Sequence, residues 1–374
     1  MKSDFALHDS LIYLNHAAVS PWPLCTTEAV QAFASENAAY GAARYLDWMQ
    51  VESELRCRLA RLINAPHAED ISILKSTSEA LSVVAYGLDW QPGDNVVIFR
   101  QEFPSNRLVW ESLKSRGVET RRVDLWSGEQ PEQRLMSACD ERTRVVSVSS
   151  VQYATGFQTA LEPLGRFCRR ENILFCVDAI QSLGAIPFDV QQVHADFVMA
   201  DGHKWMLGPE GTALFYSRGE IRDRLRLNQF GWHMVQQPGD FDRESWQPSH
   251  TGTRFECGSP NMLGVHALNA SLRLIEQTGI QKIHKRVIKN SIYLIELVKQ
   301  HRNRLSLLSV PEPERLSGIV TFRVNDADQQ TIYRALMRNG VICANRGGGI
   351  RFSPHFYTTR KEIRRAIEKT LNQT

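Results

Sequence analysis

Phe197-Val198-Met199-Ala200-Asp201-Gly202-His203-Lys204-Trp205 is the run from which the rest of the chain is read. Its apolar opening predicts a short buried strand, and the polar residues after it predict a loop at the strand's end. A lysine placed there, between a histidine and a tryptophan, sits where desolvation lowers an ammonium pKa and frees the amine as a nucleophile. The plainer reading is a surface lysine on an ordinary strand-to-helix loop.

Outward from that run, short β-rich stretches alternate with helical patterns from residue 71 onward. Strands are predicted over Ile71–Leu74, Asn95–Phe99, 144–151, 173–177, 197–199 and 213–216, and helices over 78–88, 105–116 and 161–171. That alternation indicates an α/β fold, a mostly parallel sheet covered by helices on both faces. Beyond residue 216 the pattern changes. A polar connection bearing Trp and Gly occupies 230–258, and a helical stretch from 261 to about 300 is interrupted at Thr278-Gly279. The remainder reads strand (319–324), helix (Gln329–Arg338), strands (341–343 and 350–352) and helix (Arg360–Leu371). This order suits a smaller α+β C-terminal domain. The expected units are an N-terminal segment, 1–70, packing with the small domain, a large domain, 71–265, and the small domain, 266–374.

Two more predicted strand ends carry polar chemistry. Asp178, in Cys176-Val177-Asp178-Ala179-Ile180-Gln181, stands where open α/β sheets bind ligands. A turn-capping aspartate is the alternative. Ser76-Thr77-Ser78-Glu79-Ala80 puts three hydroxyls beside the free N–H groups of a helix start, a natural phosphate site. A plain N-cap explains the same residues. Together the three places match one need. Pyridoxal phosphate takes a phosphate cradle, a lysine for its aldehyde, and an acid that keeps its ring nitrogen protonated.

Composition narrows the field further. The chain has 374 residues, 43% hydrophobic and 23% charged, with a formal net charge of +3. These values exclude general disorder, and the scattered Lys and Arg give no stripe for nucleic acid. No window approaches the apolar length of a membrane helix. Residues 1–15 lack the apolar core and cleavage site of a secretory signal. Seven widely spaced cysteines without a C-x-x-C pair fit reduced thiols, so a cytoplasmic location is expected. His233, His250 and His266 fall on different elements, and no metal site is expected. The chain has no G-x-S-x-G, H-E-x-x-H, P-loop or G-x-G-x-x-G motif.

With Asp178-Ala179-Ile180-Gln181, Gly202-His203-Lys204, Gly208-Pro209-Glu210-Gly211 and Arg254-Phe255-Glu256-Cys257-Gly258-Ser259-Pro260, the chain resembles the class V aminotransferases. These are fold type I pyridoxal-phosphate enzymes, a group that includes cysteine desulfurases, selenocysteine lyases and isopenicillin N epimerase-like proteins. The resemblance runs from Tyr13 to Phe356. It implies that Lys204 forms the internal aldimine and Asp178 pairs with the ring nitrogen. It further implies that Gln181 meets the ring hydroxyl, and that Thr77, Ser78 and His203 hold the phosphate. Ser259 would reach the partner's phosphate in a homodimer with shared active sites. Phe103, in Glu102-Phe103-Pro104, takes the place of a stacking histidine, and Gln152 that of an asparagine near the ring hydroxyl. Arg351 would bind the substrate carboxylate, with Asn15, His16 and Arg346 next in line.

One departure bears on the reaction. Desulfurases of the family carry a nucleophilic cysteine on the loop before that arginine. Here Ala344-Asn345-Arg346-Gly347-Gly348-Gly349-Ile350 has none. Transamination of a small amino acid, through an external aldimine and quinonoid, is therefore the first expectation. β-Elimination by a C–S or C–Se lyase and epimerisation share those early steps and stand as alternatives. A catalytically silent binding protein is the remaining rival, which intact Lys204 and Asp178 argue against.

Overall fold

The computed structural model describes residues 2–128 and 130–373, so the outermost positions of the expected 1–70 and 266–374 units lie outside the described residues. A two-residue strand, β1 (Ile12–Tyr13), comes first and belongs to the small domain. The large sheet is built from β2 (Ile71–Leu74), β3 (Asn95–Phe99), β4 (Glu119–Val123), β5 (Thr143–Ser149), β6 (Leu174–Asp178), β7 (Phe197–Asp201) and β8 (Ala213–Ser217). Their order across the sheet is β2-β8-β7-β6-β5-β3-β4. Only β8 runs against its neighbours, so the sheet is mostly parallel, as the alternation of elements predicts.

Period-two burial explains why the central strands read as continuous apolar runs. In β3, Val97 and Phe99 enter the core on one face, while Val96 and Ile98 enter the core on the other. In β7, Val198 and Ala200 face the first layer, and Phe197 and Met199 the second. A sheet covered on both sides leaves no face for polar residues along its strands, so the polar side chains collect at the strand ends. Strand β4 escaped the sequence reading. Its Glu-Thr-Arg-Arg-Val has no apolar run, because it pairs with β3 alone and sits at the sheet edge.

The small domain adds β9 (Leu305–Leu307), β10 (Val320–Val324), β11 (Val341–Ile342), β12 (Ala344–Arg346) and β13 (Gly349–Phe352). Strands β12-β13-β10-β9 form an antiparallel sheet, and β1 pairs in parallel with β11. Helices Ile280–Gln300, Gln329–Arg338 and Arg360–Leu371 contribute Leu294, Leu336 and Ile367 to its core. Gly279, at φ +84°, separates helix Met262–Thr278 from helix Ile280–Gln300, which is the predicted interruption.

The N-terminal segment divides between the two domains. Strand β1 joins the small domain, but helices Leu24–Tyr40 and Tyr45–Leu62 pack on helix Met262–Thr278. Leu55, Leu59 and Ile63 enter the core of the large domain. The stretch 1–70 is thus not one packing unit, since β1 pairs with β11 while the helices of the stretch pack on helix Met262–Thr278.

Candidate active site

The parallel strands end on one rim. Asp178 closes β6, Asp201 closes β7, and Lys204 follows three residues later. The backbone at Gly184 (φ +96°) comes so close to Trp205 that a Cβ there would lie 2.2 Å from the Trp205 carbonyl oxygen. The loops after β6 and β7 are thereby pressed together, which draws Asp178 and Lys204 to one cavity of about 330 Å³. That is room for a small cofactor and substrate.

Burial sets the electrostatics. Lys204 is 8% exposed, and desolvation brings its pKa down to about 8. Asp178 and Asp201 pull that value up, and Arg351 pushes it further down. Roughly a tenth of the amine is therefore uncharged near neutral pH, far more than for an ordinary lysine. Asp178 is pushed up to about 6, mainly by burial, against the Ile180 N–H that donates to it at 3.0 Å and the nearby Lys204. His203 is lowered to about 4, first by burial and then by Lys204.

One end of the cavity is lined with hydroxyls. The Thr77 N–H donates to the Asp201 carboxylate at 3.3 Å, and the Asp201 N–H donates back to the Thr77 hydroxyl at 3.1 Å. This pair ties the start of helix Thr77–Gly87 to the end of β7. Ser78 donates to Ser105 at 2.8 Å, so the helix starting at Ser105 brings a second N-terminus to the same place. Ser76 is less available, since its hydroxyl accepts from the Glu79 N–H as an N-cap. Phe103 forms a wall, its ring centroid 5.5 Å from Lys204 Nζ and edge-on to Tyr153 at 5.1 Å. Gln181 lines the cavity while holding the Ala17 carbonyl and the Trp205 indole N–H, which leaves one amide hydrogen free to donate.

Arg351 enters from β13. It is 3% exposed, donates from Nη1 to the Tyr153 carbonyl at 2.6 Å, and has a buried Nε without a partner among the described residues. Burial and the neighbouring Arg346 lower its pKa to about 10.

Several expected residues lie elsewhere. Gln152 does not line the cavity. Its Oε1 accepts from the Ala154 and Thr155 N–H groups, and its Nε2 donates to the Gln101 carbonyl, so it holds its own turn together. The next residue, Tyr153, faces the cavity instead, a one-residue difference in register. His16 is fully buried, with both ring nitrogens engaged by the Ser353 carbonyl (2.8 Å) and the Tyr357 hydroxyl (2.6 Å). It packs near Trp205, behind the lysine loop, as a core residue. Asn15 bridges to Ser353 and also stays off the cavity. Ser259 lies in a separate surface pocket, its hydroxyl 3.4 Å from the Trp232 indole nitrogen. Arg346, next in line for the carboxylate, does line the cavity, and Tyr153, Ser105 and Asp201 line it without having been singled out. Asp201 was quoted within its motif and Ser105 began a predicted helix, so only their places at element ends marked them.

These residues fit pyridoxal phosphate. Hydroxyls and two helix starts suit a phosphate, Asp178 suits a ring nitrogen, and Lys204 is a buried amine at low pKa. His203 Nδ1 is buried without a partner among the described residues and awaits one.

Comparison with known proteins agrees with this arrangement. The family model "Aminotransferase class-V" matches residues 12–366. A probable cysteine desulfurase of Methanothermobacter thermautotrophicus is 31% identical, over 97% of this chain and 94% of that protein. The apo cysteine desulfurase of Thermococcus onnurineus NA1 has a TM-score of 0.88 at 23% identity, covering 100% of this chain and 97% of that one. The cystine C–S lyase C-DES, solved with its product cysteine persulfide, has a TM-score of 0.89 at 23% identity, covering 97% of this chain and 98% of that one.

Proposed function

The chain belongs to the class V aminotransferase family, and on that premise we propose that it is a pyridoxal-phosphate enzyme that breaks the Cβ–S bond of a small amino acid by β-elimination. Relatives named for desulfuration and C–S cleavage favour this over transamination, which the sequence reading put first. The observation that carries elimination over desulfuration is Cys343. It is the cysteine just before the loop leading to Arg351, yet it is 1% exposed, and burial pushes its thiol up to about 12. A thiol in that state is no nucleophile.

Thr77, Ser78, Ser105 and His203 would hold the phosphate, Asp178 the ring nitrogen's proton, and Lys204 the aldehyde. Bound there, the cofactor supplies an electron sink for the pair left when the Cα–H bond breaks. Arg351 orients the substrate by its α-carboxylate through paired N–H bonds. Lys204 Nζ, its pKa lowered by burial to about 8, takes the Cα proton and returns one to the departing sulfur. Phe103 covers this centre and keeps water off one face without offering a proton of its own. The chain would act as a homodimer, with Ser259 serving the partner's phosphate. Its seven cysteines are all free, in accord with a cytoplasmic enzyme.

For cysteine the balance is one water consumed, with pyruvate, ammonium and hydrogen sulfide released. The test is mass spectrometry of products from the holoprotein with L-cysteine or L-cystine. Pyruvate with equimolar ammonium and sulfide, or cysteine persulfide from cystine, is expected. Alanine with a persulfide on the protein, or a 2-oxo acid retaining the sulfur, would overturn the reading.

A further inference from the structure

The register of the β12–β13 hairpin puts two arginines on one face. Ala344 pairs with Arg351 and Arg346 with Gly349, so Arg346 and Arg351 are diagonal neighbours, with Cα atoms about 7–8 Å apart in such a ladder. Ile350 and Phe352 alternate to the other face and are fully buried in the small-domain core. Opposite Arg346 the ladder carries Gly349, which has no side chain of its own to pair with it. Both guanidiniums line the Lys204 cavity.

Among the described residues neither pairs with an acid. Arg351 Nη1 donates to the Tyr153 carbonyl, and Arg346 Nη1 donates to the Asn345 carbonyl at 3.0 Å. The carboxylates of the cavity are engaged with main-chain N–H groups on the large-domain side, Asp178 by Ile180 and Asp201 by Thr77. The small-domain wall therefore presents two positive groups, one buried and one exposed, where a single α-carboxylate occupies one. Two like charges at diagonal positions repel, and a substrate that brings an anion to each offsets that repulsion.

We propose that Arg346 is a specificity residue, and that the preferred substrate is an α-amino acid whose side chain ends in a second anionic group. This rests on the reading of Arg351 as the α-carboxylate site. Within the C–S cleavage reading, the class is a cysteine thioether or disulfide with a distal acid. Elimination from a thioether consumes one water and yields pyruvate, ammonium and the acid-bearing thiol. The sulfur leaves with the bonding electrons and receives the proton.

Isosteric pairs that differ only in charge test this. S-carboxymethyl-L-cysteine and S-carbamoylmethyl-L-cysteine report kcat/KM for pyruvate release. L-aspartate and L-asparagine report affinity through the cofactor's absorption spectrum, whatever bond the enzyme breaks. In at least one pair the acid should be favoured about tenfold or more, the effect of one charge-assisted bond. Arg346→Gln should bring that ratio close to one, and Arg346→Lys should keep part of it. Equal treatment of acid and amide in both pairs, or an unchanged ratio in Arg346→Gln, overturns the proposal. Absence of pyruvate together with a charge-dependent spectral affinity sinks the C–S reading alone and leaves Arg346's role standing. If no amino acid perturbs the spectrum, both fall.

Discussion

Lys204 carries the most chemistry of any single residue in the chain, and its titration is the first thing to measure. The uncharged amine adds to an aldehyde, and burial brings its pKa down to about 8. Raising the pH therefore increases the reactive form until the pKa is passed. Cofactor rebinding to the cofactor-free protein should quicken about tenfold per pH unit below about 8 and level off above it. Stopped-flow absorbance checks this, and a rate still climbing at pH 10 would mean an ordinary exposed lysine. Arg351→Ala should weaken amino-acid binding about 10–100-fold, since a charge-assisted bond contributes roughly 1.5–3 kcal/mol. Cofactor content should hardly change, because the hydroxyl end of the cavity is separate. Equal losses for an amino acid and its decarboxylated amine would make Arg351 structural. At this scale the sequence singled out Asp178, Lys204 and Arg351, and the fold brings all three to one cavity. The sequence misled within the 152–156 turn, where one residue of register exchanges Gln152 for Tyr153, and turn geometry has no periodicity to fix it.

Elements with a strong apolar period were legible too. Helices Gln329–Arg338 and Arg360–Leu371 have the predicted bounds, as have β2 and β3. The short or edge strands β4, β9 and β12 were not, since their pairing and not their own composition makes them strands. The turn after β5 is where the two domains lock. Gly156 lies at φ +79°, and a Cβ there would stand 2.3 Å from the Ile319 carbonyl oxygen. The Ser317 hydroxyl also donates to the Gly156 carbonyl at 2.7 Å. Gly156→Ala should therefore cost about 1–3 kcal/mol in urea denaturation and raise KM by displacing the Tyr153 carbonyl that holds Arg351. An unchanged midpoint would show that this contact yields freely.

For the molecule as a whole, one chain accounts for the cavity but leaves Ser259 outside it. Near Ser259, Trp232 adjoins an exposed aromatic group of Phe230, Phe241 and Trp246, the kind of apolar patch that marks an interaction surface. Sedimentation should find a dimer, and Ser259→Ala should retain the cofactor less well although it does not line its own chain's cavity. A monomer, or a variant with full retention, would refute shared sites. Domain packing of this kind was the least legible feature, because the N-terminal helices divide from β1 only when the folded partners exist. The central claim is that these strand ends converge to bind pyridoxal phosphate through Lys204. Borohydride reduction of the reconstituted protein, followed by peptide mapping, tests it most directly. The pyridoxyl group should be found on Lys204, and its appearance on any other lysine, or on none, would contradict the account.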